Sequence, residues 1–466
     1  MPRVFALCLL VCSCLLAPAA SAAAQETSGQ MASGAWYRIA VPAGWSAGDT
    51  LILYQHGFDF SAPDGPPGLG PLKDVALAQG YAIAASSYRE RGWAMFDAID
   101  DNRDLVARFT QQFGAPGHML PFGGSLGGLV ALKLAEADGF PPVQGVFAMC
   151  PAAAGSRLWD YAIDLRLGYA AICEGAGELR HGAQPLWWAF DLAMIPAQLG
   201  DLSGLGGMLD NLVVLDTLLQ VNRCTGINLP PAQRSADKQR RLAELMAYAH
   251  LSDEQFLLTN IGYATFGLAD IVRAPDKLAG LNPFTTAGVD YGDDPLVAAR
   301  IARLIADPVA AQALRAASDF HGQVGAAKIM SLHTSRDELV IPANQEFIRN
   351  QVPSTQWVSA IVAEDEPSHC GFNVAEGLAG WEALRAWING APQPSVAQLQ
   401  QACQTLVASG VAAGPCRFDP AASFASFDSI VRPRTAATAT ARGHSTHRSA
   451  PRPPAQAAPR RRALNP

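Results

Sequence analysis

A serine becomes a nucleophile when its hydroxyl is lifted clear of the backbone and given a base. Residues Gly123-Gly124-Ser125-Leu126-Gly127 fit the pattern G-x-S-x-G. The apolar run from His118 to Phe122 ahead of it reads as a strand, and Leu129 to Ala135 behind it reads as a helix. At such a strand-to-helix turn the serine takes a strained conformation that raises its hydroxyl out of the sheet. The flanking glycines keep Cβ atoms away from neighbouring backbone. The helix after the turn aims its positive end at the place where an oxyanion would develop. The same five residues would also serve as a plain glycine-rich connection, so the weight falls on what else the chain supplies.

A nucleophilic serine needs a base, and the base needs an acid to orient it. Two later stretches offer both. Leu332 to Pro342 (LHTSRDELVIP) places Asp337 in a loop just after an apolar strand. Glu364 to Phe372 (EDEPSHCGF) places His369 between the last strand and the last long helix. Glu338, Glu364 and Asp365 compete with Asp337 for the acid, and His56, His118, His181 and His333 compete with His369 for the base. His56 sits in a turn and His118 opens a strand, which gives each a structural reading. If the strands are parallel, Ser125, Asp337 and His369 all fall at their carboxyl ends.

The chain resembles the secreted serine hydrolases of the α/β-hydrolase superfamily, through four motifs in order: HGF at His56, GGSLGG at Gly123, HTSRDELVIP at His333 and SHCGF at Ser368. With the strand pattern they span most of Leu51 to Asn389 outside one long insertion. The resemblance implies Ser125 as nucleophile, His369 as general base and acid, and Asp337 as its partner. It also implies an oxyanion hole made by the backbone N–H groups of Leu126 and Phe58. His333-Thr334 departs from the His-Gly of many relatives, which touches the turn and leaves Asp337 in place. Aspartate-nucleophile chemistry of the dehalogenase and epoxide hydrolase kind is disfavoured, because serine stands at position 125. The activity expected is cleavage of a carboxylic ester through an acyl-enzyme. An amidase or exopeptidase with the same triad is the alternative, and a catalytically silent binding protein on this fold is a third.

The elements that must position these residues follow an α/β rhythm. Strands are expected at Ala35–Val41, Asp49–Gln55, Tyr81–Ser86, His118–Phe122, Val143–Cys150, Ala327–His333 and Thr355–Val362, alternating with helices. That spacing implies a mostly parallel sheet flanked by helices. Residues 25–150 and 326–392 would form this core. Residues 151–325 read as a helical lid, with helices at Arg157–Tyr169, Leu186–Ile195, Asp237–His250, Asp253–Tyr263 and Asp294–Ser318. Its aromatics Trp159, Tyr161, Trp187, Trp188, Phe190, Tyr263 and Phe266 are candidates to line a substrate pocket, against the plainer reading as core. Residues 393–430 read as an extension with a local disulfide. Residues 431–466 read as a disordered basic tail, rich in Pro, Ala and Arg.

Composition bounds the rest. The chain has 466 residues, is 49% hydrophobic and carries a net charge of −7. Setting aside Arg3 and the arginines beyond Val431 makes the body more acidic still, which argues against nucleic acid as a partner. Residues 1–24 have Arg3, an apolar run and small residues around Ala20-Ser21-Ala22. That is the pattern of a cleavable secretory signal, and it implies a secreted or periplasmic protein without stable membrane insertion. Six cysteines lie beyond it, and six allow fifteen pairings. Cys403 with Cys416 is the most local, Cys173 with Cys224 would staple the insertion, and Cys150 with Cys370 would pin the histidine loop. Asp290, Asp293 and Asp294 do not fit a calcium-loop spacing. No metal and no cofactor is expected, and the oligomeric state is open.

Overall fold

The computed structural model describes residues 24–173, 212–292 and 294–434. The signal sequence, His181, the helix expected at Leu186–Ile195, Trp187, Trp188, Phe190, Asp293 and the tail beyond residue 434 lie outside them.

Eight strands form one sheet: β1 (Gln25–Gln30), β2 (Trp36–Val41), β3 (Thr50–Gln55), β4 (Ala82–Ser86), β5 (His118–Gly124), β6 (Gly145–Met149), β7 (Lys328–Thr334) and β8 (Trp357–Val362). Their order is β1-β2-β4-β3-β5-β6-β7-β8. The first two are antiparallel to their neighbours and the rest are parallel. β1 was not expected: QETSGQ has no apolar alternation, and it pairs as an exposed edge strand that needs none. The inner strands are apolar on both faces because helices cover both. Leu51 and Leu53 face one core with Leu105, Phe109 and Leu129. Ile52 between them faces the other, with Ala76, Trp381 and Leu384.

The helices of the sheet layers are α1 (Lys73–Ala78), α2 (Ala98–Phe113) and α3 (Leu126–Glu136). Between β6 and β7 come α4 (Ser156–Cys173), α5 (Leu212–Thr225), α6 (Ala236–Tyr248), α7 (Glu254–Gly262), a π turn at Tyr263–Gly267, α8 (Leu268–Arg273), α9 (Pro295–Arg300) and α10 (Pro308–Ser318). After β7 come α11 (Gln345–Gln351), α12 (Val374–Ile388) and α13 (Val396–Ala408). No helix among the described residues is long and apolar enough to cross a membrane.

The single helix expected over Asp294–Ser318 is two. Pro308 has no N–H to continue a helix and sits at the first position of α10, where the Asp307 side chain caps the amides of Val309 and Ala310. The intervening chain pairs instead with residues near Thr286, whose hydroxyl accepts from the Leu304 N–H at 2.8 Å. Asp294 is likewise a cap, accepting from the Val297 N–H. Val431 to Arg434, expected to open the disordered tail, are folded onto α4. Val431 is buried, and the Arg434 guanidinium reaches Asp164 at 2.9 Å and Asp160 at 3.2 Å.

Candidate active site

The chain turns from β3 to β4 on one side and returns to place β5 on the other. The loops after β3 and β5 therefore part from neighbouring strands, and a crevice opens between them at the carboxyl edge of the sheet. Ser125 stands there, between β5 and α3, with φ 57° and ψ −126°. Such a conformation is strained for a residue with a side chain and persists only where its surroundings impose it. The impositions are visible. A Cβ on Gly127 would lie 2.1 Å from the Gln55 carbonyl oxygen, and one on Gly123 would lie 2.6 Å from the same atom. Glycine at both positions lets the elbow press against the end of β3.

His369 Nε2 lies 3.0 Å from Ser125 Oγ, and His369 Nδ1 lies 2.8 Å from Asp337 Oδ2. Asp337 is buried and its acceptors are filled. Oδ1 takes the N–H groups of Leu339 and Val340, each at 3.0 Å, and Oδ2 also takes that of Cys370 at 3.2 Å. Burial raises the Asp337 carboxyl, but the charge and hydrogen bond of His369, the imidazole of His333 and the Val340 N–H outweigh it and hold it below the usual range. Burial lowers His369, and the Asp337 charge and hydrogen bond overcome this and raise it.

The competing residues have other neighbours, although His333 Nε2 also lies 3.9 Å from Asp337 Oδ2. Glu338 accepts from the Ser252 and Asp253 N–H groups of the helical segment. Glu364 binds the Ser368 hydroxyl and the Arg336 N–H, and Asp365 is held through its carbonyl by Arg336. His56 stacks on Tyr88 with ring centroids 4.2 Å apart. His333 is fully buried between the Val340 carbonyl and the Gln345 amide. His118 begins β5, at the end of the strand remote from Ser125.

The Leu126 and Phe58 side chains border Ser125, and neither backbone N–H has an acceptor among the described residues. A Cβ on Gly57 would lie 3.8 Å from that of Ser125, which brings the Phe58 turn against Ser125. Residues that sequence reasoning passed over hold this turn in place. Gln55 and Asn102 exchange two amide hydrogen bonds of 2.9 Å, and the Tyr88 hydroxyl donates within 3.3 Å of the His56 carbonyl. Nothing in their spacing singles them out, since they meet only when β3, β4 and α2 pack.

The histidine loop is gripped twice. Cys370 pairs with Cys150 at the end of β6, with Cα atoms 5.5 Å apart and both residues at positive φ. Arg417, displayed by the Cys403–Cys416 loop, donates to the Gly371 carbonyl at 2.8 Å and pairs with the buried Glu376. The third pair, Cys173 with Cys224, ties α4 to α5.

A strand-to-helix turn carrying Ser125 on this strand order, with Asp337 after β7 and His369 after β8, decides the architecture. It is an α/β-hydrolase fold. No protein-family model and no curated protein matches the chain. Similar solved structures include Candida antarctica lipase A, 12% identical, covering 87% of this chain and 87% of that one at a TM-score of 0.38. A thermostable carboxyl esterase of Bacillus coagulans is 14% identical, covers 79% and 98%, and has a TM-score of 0.35. A prolyl endopeptidase is 11% identical, with 82% of this chain matched to 39% of that one at a TM-score of 0.38. Likenesses this distant carry nothing about chemistry, which rests on this chain's own residues.

Beside Ser125 this α/β-hydrolase fold opens an apolar cleft of about 490 Å³, its mouth included. Phe58, Trp93 and Leu126 come from the sheet domain. Leu158, Trp159, Tyr161 and Ala162 come from α4, Asn260 from α7, and Tyr263 from the π turn. Trp159, Tyr161 and Tyr263 are thus wall residues, whereas Phe266 is buried in the core.

Proposed function

We propose that the protein is an exported serine hydrolase that cleaves carboxylic esters through an acyl-enzyme. The observation that carries this reading is the continuous relay from Asp337 through His369 to Ser125, set beside an apolar cleft and two amides without an acceptor among the described residues. His369 Nε2 takes the Ser125 proton as Oγ bonds to the substrate carbonyl carbon. The oxyanion that forms accepts from the Phe58 and Leu126 N–H groups, near the positive end of α3. His369 then gives its proton to the departing alkoxide, leaving the acyl group on Oγ. Water enters, loses a proton to His369 and releases the acid, and Ser125 recovers its proton. Asp337 holds the imidazole in the orientation that presents Nε2 and stabilises the imidazolium. Three paired cysteine couples suit an oxidising compartment, which supports export.

The test is a panel of p-nitrophenyl esters and p-nitroanilides of matched acyl groups, assayed with wild type and Ser125→Ala. Ester turnover that disappears in the variant supports the proposal. Preferential anilide cleavage replaces it with an amidase or peptidase, and turnover that survives Ser125→Ala removes the nucleophile from the scheme.

A further inference from the structure

Arg166 of α4 is only 2% exposed, yet its Nε and Nη1 have no hydrogen-bond partner among the described residues. Other buried cations of the helical segment are neutralised: Lys277 by Asp270 and Arg434 by Asp160 and Asp164. The Arg166 guanidinium instead lies over the Tyr169 ring, 5.1 Å from its centroid. Burial lowers its pKa to about 10, slightly offset by Tyr169, so it stays charged at neutral pH. A buried, uncompensated charge is strongly disfavoured in a folded chain, and its retention calls for an anion.

The face on which it stands says which anion. At about 100° per residue, Trp159, Ala162 and Arg166 fall within about 60° of one another on α4. Trp159 and Ala162 line the apolar cleft beside Ser125, as do Leu158 and Tyr161 at about 80° and 140° from Arg166, so Arg166 stands at the Trp159 margin of the cleft-facing surface. Trp159 Nε1 is also buried with no acceptor among the described residues. The acids of α4, Asp160 and Asp164, stand roughly 120–160° away and are held by Arg434. The cleft-facing surface of α4 is therefore apolar, and at its Trp159 margin, about one helical turn beyond Ala162, comes a cation without a counter-ion among the described residues.

We propose that Arg166 is the anion-binding end of the substrate cleft, and that the preferred substrate is an ester whose acyl arm ends in a carboxylate. The arm's methylene or aryl portion packs on Trp159 and Ala162, and the carboxylate supplies the counter-charge that no described residue gives Arg166. This rests on the serine hydrolase reading, which places the acyl carbon at Ser125.

The experiment compares mono-p-nitrophenyl esters of dicarboxylic acids, from glutarate to suberate, with neutral p-nitrophenyl alkanoates of equal length, in wild type and Arg166→Met. The wild type is expected to favour one dicarboxylate length at least tenfold in kcat/KM. The variant is expected to lose that preference, keep its turnover of neutral esters and melt no lower than wild type. Equal turnover of charged and neutral esters by the wild type, or a preference that survives Arg166→Met, overturns the proposal. If no ester is turned over, the hydrolase reading fails on its own, and calorimetric titration of Ser125→Ala with the free dicarboxylates decides. Binding abolished by adding Arg166→Met supports the site, and absence of binding overturns it.

Discussion

His369 stands between opposed pressures, burial lowering its pKa and Asp337 raising it, and the carboxylate prevails. As the proposed general base His369 must be neutral to act, so activity is expected to fall as pH drops through this raised pKa. The acid limb of kcat/KM is expected above the ordinary histidine value of about 6.5. Asp337→Asn removes the charge that lifts it and disturbs the tautomer that presents Nε2 to Ser125. The limb should move to lower pH and kcat should fall on the order of 10⁴-fold, read from pH–rate profiles of the two proteins. A limb that stays in place would separate Asp337 from His369. At this scale the sequence was legible for residues tied to a local motif: Ser125 by its glycines, Asp337 and His369 by their loops after apolar strands. It was silent on Gln55, Tyr88 and Asn102, whose contacts join three separate elements.

The histidine loop lies between β8 and α12, and its shape depends on α13 and on Arg417 just beyond the Cys403–Cys416 bridge. Glu376 belongs to the capping box of α12 with Asn373, yet it is fully buried and its charge is answered by Arg417. Arg417→Ala removes the charge that answers this carboxylate, leaving it the Asn373 and Arg417 backbone N–H groups, and frees the Gly371 carbonyl. A loss of roughly 1–3 kcal/mol in stability is expected from urea unfolding, with kcat reduced more than KM raised because the loop carries the proposed base. Unchanged stability would show that solvent reaches Glu376. The helical segment shows where local patterning misleads. Helical periodicity ran through Asp294–Ser318, and the Asp307-Pro308 cap signal within it was the residue-level sign of the break. The chain near Thr286 supplies the partners that the interrupted helix gives up.

For the molecule as a whole, Cys150–Cys370 closes the longest loop of the three couples, 220 residues in sequence. It fastens the histidine loop, next to His369, to the strand after the helix that follows Ser125. Replacing both cysteines with alanine should lower stability by about 2–5 kcal/mol. It should also lower kcat, measured after refolding under oxidising conditions. Full activity and an unchanged melting temperature would leave the bond without a role. The sequence alone determined the architecture, because apolar runs, glycine turns and helical periodicity are short-range signals that the chain must obey wherever they lie. The same signals placed a strand-to-helix serine and two loop residues in the order this architecture needs. Only the tertiary structure decided which acid meets which histidine, since Glu338 and Asp337 are adjacent in sequence yet face different partners. It also decided that β1 joins the sheet, that Val431–Arg434 fold onto α4, and that Arg166 is buried beyond the cleft without a counter-ion among the described residues. Those outcomes depend on surfaces brought together from distant parts of the chain, where burial sets the energy of each charge and no neighbour in sequence reports it.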